Sequence, residues 1–356
     1  MKKIFVMFLV LVGIVSFGFF TFAWGETKFP KDTISESLLP NQIGNTTEEQ
    51  DVLNDIPEEY LRMTVPFLRS HQYPGSQIVT ERVLAQKQNY TSYLAWYESE
   101  GFKIYGLLTK PTSGIEGQTY PAVVFMHGYI PPLSYRTTEK YGDYVDYLAR
   151  NGLVVFKIDF RGNGDSEGEP GGAYFSGDYV IDAINAYESL KTLDYVASDR
   201  VGLWGHSMSG NVVLRAMVAR PEIPTGVIWA GAVYSYADMA EYGINDSSYQ
   251  PGQNPHRPRR ADFFETVGER GSDSPFWQAT AATNFAADLK GKIQLHHATN
   301  DPVVTVKYSQ DLVKVLDEAG VDNRLYEYNS GGHNLGSPAF GIAMQRTVAW
   351  FKSTTD

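Results

Sequence analysis

The 356-residue chain contains no cysteine. That excludes a disulfide framework, a thiolate zinc site and a cysteine nucleophile, and also a lipid anchor attached through an N-terminal Cys. Positive charge is scarce as well: 30 Lys and Arg stand against 41 Asp and Glu, a net charge of -11, the wrong sign for gripping a phosphate backbone. Nucleic acid is therefore not an expected partner. Internal repeats and long low-complexity tracts are missing, and only one long hydrophobic run occurs, at the N-terminus. What is present is a 43% apolar, 13% aromatic chain, enough to bury a sizeable core in one domain with additions.

The hydrophobic run follows Lys2 and Lys3 and extends without a charge over residues 4–24. At about 1.5 Å per helical residue it is long enough to cross a hydrocarbon layer of about 30 Å. A cleaved signal peptide has a shorter apolar region, roughly 7 to 15 residues, so the length favours a retained membrane anchor over residues 1–25. Ala23 and Gly25 keep cleavage and secretion open as the other outcome. In both cases the positive end stays inside and the remainder is expected on the extracytoplasmic side. Residues 26–59 are polar and acidic, too poor in apolar groups to offset ordering entropy. They are expected to form a flexible tether leading to a body over residues 60–356.

Within the body, β-rich runs at 93–97 and 102–108 read as an antiparallel hairpin. Short runs apolar on both faces follow: AVVFM at 122–126, LVVFKIDF at 153–160, then 201–204, 226–233, 293–297 and 324–328. Helical patterns over 141–150, 179–193, 209–219, 309–319 and 340–351 separate them. Such alternation predicts a doubly wound, mainly parallel α/β sheet with an antiparallel start, whose reactive groups sit on loops at the carboxyl ends of the strands.

One pentapeptide fits G-x-S-x-G strictly, at Gly164 to Gly168 around Ser166. A nucleophile on a sharp elbow needs a strand entering it and a helix leaving it, and Ser166 is followed by EGEPGG, which cannot begin a helix. Ser207 has the right surroundings: the strand VGLW, the turn GHSMSG at 205–210 and the helical NVVLRA. Gly205 and Ser209 are the small residues such a turn demands two positions to either side. Helix N-capping is the plainer role open to Ser207.

A serine hydroxyl needs a base, and the base needs a carboxylate to hold its tautomer. Of seven histidines, His71 lies near the tether, His206 is locked in the turn, and His296 and His297 fall inside a strand. His333 stands on a Gly-rich loop after the last strand and is the expected base. Asp301, on the loop that ends the 293–297 strand, is the expected third member, although it could instead cap a turn before Pro302. Asp322 precedes its strand and is the weaker choice. Two backbone N–H donors should hold the oxyanion: that of Met208, next to the nucleophile, and that of Tyr129, in the His127-Gly128-Tyr129 loop. Gly128 could equally mark a plain tight turn. No metal or organic cofactor is required by this chemistry.

HGY at 127–129, DFRGNGDSEG at 159–168, GHSMSG at 205–210, TNDPVV at 299–304 and GGHN at 331–334 together resemble the α/β-hydrolase fold. Within it they are most similar to prolyl oligopeptidase-type catalytic domains and dienelactone hydrolase-like esterases. The resemblance implies a Ser207, Asp301 and His333 triad with Tyr129 and Met208 as oxyanion hole, and makes the 159–168 block a structural loop. It departs from the pattern in two ways. Ser209 stands where Gly is usual, and about 35 residues of tether cannot form the propeller of the oligopeptidases. Ester hydrolysis is therefore expected ahead of peptide hydrolysis, with a small-molecule ester or short peptide as substrate. A non-catalytic binding protein on the same fold is the competing class, though such proteins typically lose a triad member.

Residues 234–285 are too long for a simple connection and are expected to form a lid. Its aromatics, Tyr234, Tyr236 and Trp277 among them, would line an acyl or aryl pocket. Arg259, in the HRPRR cluster at 256–260, would meet an anionic substrate or else be a solvated loop residue.

Overall fold

The computed structural model describes residues 56–112, 117–247, 260–269 and 274–353. The expected anchor and nearly all of the expected tether lie outside the described residues. Among the described residues, no helix is long and apolar enough to cross a membrane. The last residues assigned to the tether belong to the body instead. Ile56 and Tyr60 are buried, and the short helices α1 (Glu58–Leu61) and α2 (Val65–Ser70) pack against the core. Thr64 caps α2 by accepting the Phe67 N–H.

Among the described residues, nine strands form one sheet: β1 (Val79–Gln86), β2 (Tyr90–Ser99), β3 (Phe102–Pro111), β4 (Tyr120–Met126), β5 (Val154–Ile158), β6 (Val196–His206), β7 (Thr225–Trp229), β8 (Lys292–Ala298) and β9 (Asn323–Tyr328). Their order is β1-β2-β3-β5-β4-β6-β7-β8-β9. The first three strands and the β3-β5 pair are antiparallel, and from β5 through β9 all pairings are parallel. The hairpin is longer than expected, running in register from Tyr90↔Pro111 to Ser99↔Phe102. β1 is an addition that no apolar run announces: its VTERVLAQ sequence is mostly exposed on an outer edge.

β4, β5, β7 and β8 are buried almost throughout, because helices cover both faces of the sheet. Ala122, Val124 and Met126 of β4 face one core, with α4 (Asp178–Leu190), α5 (Met208–Ala219) and α9 (Lys307–Glu318). Val123 and Phe125 face the other, with α3 (Gly142–Arg150) and α10 (Ala339–Lys352). There Phe125 stacks on Trp204 at 4.0 Å between centroids. The alternation along β4 is the period-two rule of a pleated strand.

Leaving β4, the chain pairs β5 on one side and then returns to β6 on the other. This reversal opens a crevice beyond the carboxyl ends of β4 and β6, where Met126 and Gly205 are register partners.

The 159–168 block is a structural loop. The buried Asp159 accepts from Tyr135 (2.6 Å) and Thr137 (2.5 Å). Arg161 donates to Asp182 at 2.7 and 3.1 Å and to Glu100 at 2.8 Å. Ser166 accepts the Tyr105 N–H at 2.9 Å. Asp182 is fully buried, so removing its guanidinium would strand a charge. Arg161→Met should lower stability by about 3–5 kcal/mol, read as a shift in the urea midpoint; a loss under about 1 kcal/mol would contradict this account of the loop.

Candidate functional site

β6 delivers the chain to Ser207 and α5 starts at Met208. Between them Ser207 takes φ 52° and ψ -117°, a conformation uncommon and costly for a residue with a Cβ. Its N–H is held by the Trp229 carbonyl at the end of β7 (2.8 Å). A Cβ added to Gly205 would lie 2.5 Å from the Ser209 carbonyl, so the turn leaves room only for glycine there. Ser209, the departure from Gly, is fully buried and donates its hydroxyl to the His127 carbonyl at 2.5 Å. The hydroxyl thus ties the elbow to the loop after β4.

Loops after β8 and β9 bring two side chains to this turn. The Ser207 hydroxyl is 2.9 Å from Nε2 of His333, whose Nδ1–H meets Oδ2 of Asp301 at 2.8 Å. The other Asp301 oxygen accepts the N–H groups of Val303 (2.8 Å) and Val304 (3.0 Å). The His297 Nε2 lies 3.4 Å from the carboxylate. Burial alone would raise the Asp301 carboxyl. The hydrogen bonds from His297 and His333, with the Val304 N–H, outweigh it and hold the group below the usual carboxylate range. The Asp301 side chain is fully enclosed, while His333 keeps 16% of its surface, so the imidazole can reach solvent and the carboxylate cannot. Asp322 lies before β9, and its carbonyl pairs with Ile293.

On the other side of Ser207, the His127 imidazole donates Nδ1–H to the Gly128 carbonyl at 2.7 Å. A trans peptide sets C=O and N–H in opposite directions, so this bond aims the Tyr129 N–H away from His127. Met208 contributes the first N–H of α5, which has no acceptor within its own helix.

The site opens into a cleft of about 410 Å³ whose wall includes Ser207, His333, Gly128, Tyr129, Tyr144 and Asn334, with Lys140 and Asp246 also on it. The sequence reading did not single out Ile130, Lys140, Tyr141, Tyr144, Asp246, Val303 or Asn334 as site residues. Val303 and Asn334 fall within the TNDPVV and GGHN blocks; the others had no signal beyond a place on loops or helix starts past strand ends. Conversely, the aromatics expected to line the pocket do not do so. Tyr234, Tyr236 and Trp277 are buried in the core. Trp277 packs 5.0 Å from Tyr236 and donates its indole N–H to the Gly268 carbonyl, and Phe263 meets Tyr60 edge-on at 4.9 Å. Of the helices in the described parts of residues 234–285, α7 (Arg260–Val267) and α8 (Pro275–Thr280) place Phe263, Val267, Phe276 and Trp277 in the core, whereas α6 (Ala237–Tyr242) has no buried residue. The aromatic surface of α7 and α8 is taken up by this packing. Arg259 lies outside the described residues.

Comparison with known proteins agrees with the α/β-hydrolase fold. A family model described as serine aminopeptidase, S33, matches residues 117–248. Dipeptidyl peptidase 8 of Homo sapiens is 33% identical over 251 residues, 68% of this chain, which spans 26% of that protein's length. An uncharacterized peptidase of Bacillus subtilis (strain 168), YtmA, is 28% identical over 273 residues, covering 76% of this chain and 97% of the relative. The solved acetyl xylan esterase 1 from Thermoanaerobacterium sp. JW/SL YS485 overlays with a TM-score of 0.60 at 18% identity, covering 86% of this chain and 94% of that one.

Three buried imidazoles, His127, His206 and His296, have their pKa values lowered to about 3, burial being the main cause in each; Lys157 adds to it at His127, His333 at His206 and Arg346 at His296. Unfolded, they would take up protons near pH 6.5. Below that value the unfolded state binds more protons, so stability falls with pH down to about 3, by up to about 4 kcal/mol per pH unit for the three. The thermal midpoint should drop steadily between pH 6.5 and 4.5; a flat profile would contradict the burial of these neutral rings.

Proposed function

We propose that this chain, a member of the α/β-hydrolase superfamily, is a serine hydrolase that cleaves carboxylic esters through an acyl-enzyme. The observation that carries the reading is the continuous Ser207–His333–Asp301 hydrogen-bond chain opening into a cleft. Ser207 Oγ attacks the substrate carbonyl carbon while its proton passes to His333 Nε2. Asp301 keeps the imidazole proton on Nδ1 and stabilises the imidazolium. The oxyanion is held by the Tyr129 and Met208 N–H groups. Collapse expels the alcohol, which takes the proton from His333. Water, deprotonated by the same nitrogen, then releases the acid and restores Ser207.

Ester cleavage is supported by the overlay of nearly the whole body on an acetyl xylan esterase. A second reading, hydrolysis of short peptides, is supported by the 33% identity to a dipeptidyl peptidase and by the carboxylate of Asp246 in the cleft wall, which could meet a peptide amine. The N-terminal pattern of Lys2, Lys3 and residues 4–24 supports an extracytoplasmic location.

The test is turnover of p-nitrophenyl acetate and butyrate against a dipeptidyl anilide. Ester turnover well above amide turnover is expected, and the reverse order would move the protein to the peptidase reading. Ser207→Ala should lower kcat by about 10⁴-fold or more, while Ser166→Ala changes it little. The opposite pattern would overturn the choice of nucleophile.

A further inference from the structure

His206 and Tyr141 stand beside the reacting groups, yet the chemistry above uses neither. The Gly128 N–H donates to Tyr141 Oη at 2.9 Å, Tyr141 Oη meets His206 Nδ1 at 2.8 Å, and His206 Nε2 meets the His333 carbonyl oxygen at 2.9 Å. A carbonyl only accepts, so Nε2 carries a proton. His206 is 2% exposed, and burial holds the ring neutral, so Nδ1 is bare and accepts. The Tyr141 hydroxyl proton therefore points at Nδ1, and its oxygen is left to accept from Gly128. Every proton in the chain has one place.

The chain ends are informative. One is the loop that carries the Tyr129 oxyanion donor, and the other is the backbone of His333. An independent feature marks the same path: a Cβ added to Gly128 would lie 2.9 Å from Tyr141 Oη, 3.0 Å from His206 Nδ1 and 3.2 Å from Ser207 Cβ. Glycine at 128 is what lets the chain pass this close to the nucleophile. A second strut, from the first turn of the helix that Tyr141 precedes, joins Tyr144 Oη to the Asn334 carbonyl at 2.7 Å and fixes the residue after His333.

We propose that Tyr141 and His206 are positioning residues which lock the oxyanion loop at Gly128 to the loop carrying His333, so that donor and base keep one spacing across Ser207. The inference rests on the hydrolase reading above. Its range of effect follows from rate sensitivity to small misplacements of reacting groups.

The experiment compares wild type with Tyr141→Phe, His206→Leu, His206→Gln and the Tyr141→Phe/His206→Leu double variant. Rates on p-nitrophenyl butyrate are normalised to sites titrated by a fluorophosphonate, so that only folded, reactive protein is counted. Tyr141→Phe and His206→Leu should each lower kcat about tenfold with KM unchanged, and His206→Gln, whose amide N–H still reaches the His333 carbonyl, should retain more activity than His206→Leu. In the double variant kcat should fall at least threefold less than the product of the two single losses, because both break one chain. A kcat within twofold of wild type in both single variants, or strictly multiplicative losses, would overturn the positioning role alone. So would variants that lose titratable sites while each remaining site keeps the wild-type rate. A wild-type protein that neither titrates nor turns over esters or amides would overturn the hydrolase reading, and the positioning role would fall with it.

Discussion

The backbone of Ser207 at φ 52° is the constraint on which the rest of the site depends. A residue with a Cβ stays in that conformation only when its surroundings over-determine it. Here the surroundings are a buried strand that cannot slip, a helix that begins one residue later, and the Trp229 carbonyl holding the Ser207 N–H. Each of these comes from the apolar runs that make the sheet. The strain is therefore sustained by the whole core, and its product is a hydroxyl projected past the end of β6 toward the two loops that carry His333 and Asp301.

The loop after β4 must meet this turn without crowding it. Gly128 has no side chain, and Ser209, Tyr141 and His206 each bind the backbone of that loop or of the loop after β9. The exchange of Gly for Ser at 209 thus adds a bond to the His127 carbonyl and leaves the elbow intact. Asp301 is enclosed and doubly bound to backbone N–H groups, whereas His333 keeps solvent access. That division gives one rigid anchor and one side chain able to exchange protons with water.

Much of this arrangement was legible in the sequence. Strands apolar on both faces and the helices between them pointed to a mainly parallel sheet, because buried parallel strands leave an unbroken apolar run. Strand-end position then singled out Ser207, Asp301 and His333. β1 was not legible: an edge strand exposes most of its residues, and VTERVLAQ carries no burial pattern. The aromatic content of residues 234–285 was visible, but composition does not say which way a side chain faces, and Tyr234, Tyr236 and Trp277 turn into the core. Tyr141 read simply as the start of a helix. Its link to His206 spans 65 residues of sequence, a pairing that only the folded chain brings together.

The most direct test of the account is to react the protein with a fluorophosphonate and map the adduct by mass spectrometry of its peptides. A single adduct on the hydroxyl of Ser207, abolished in His333→Ala, is the predicted result. An adduct on Ser166, or none on a folded protein, would contradict the claim that the strained elbow carries the nucleophile.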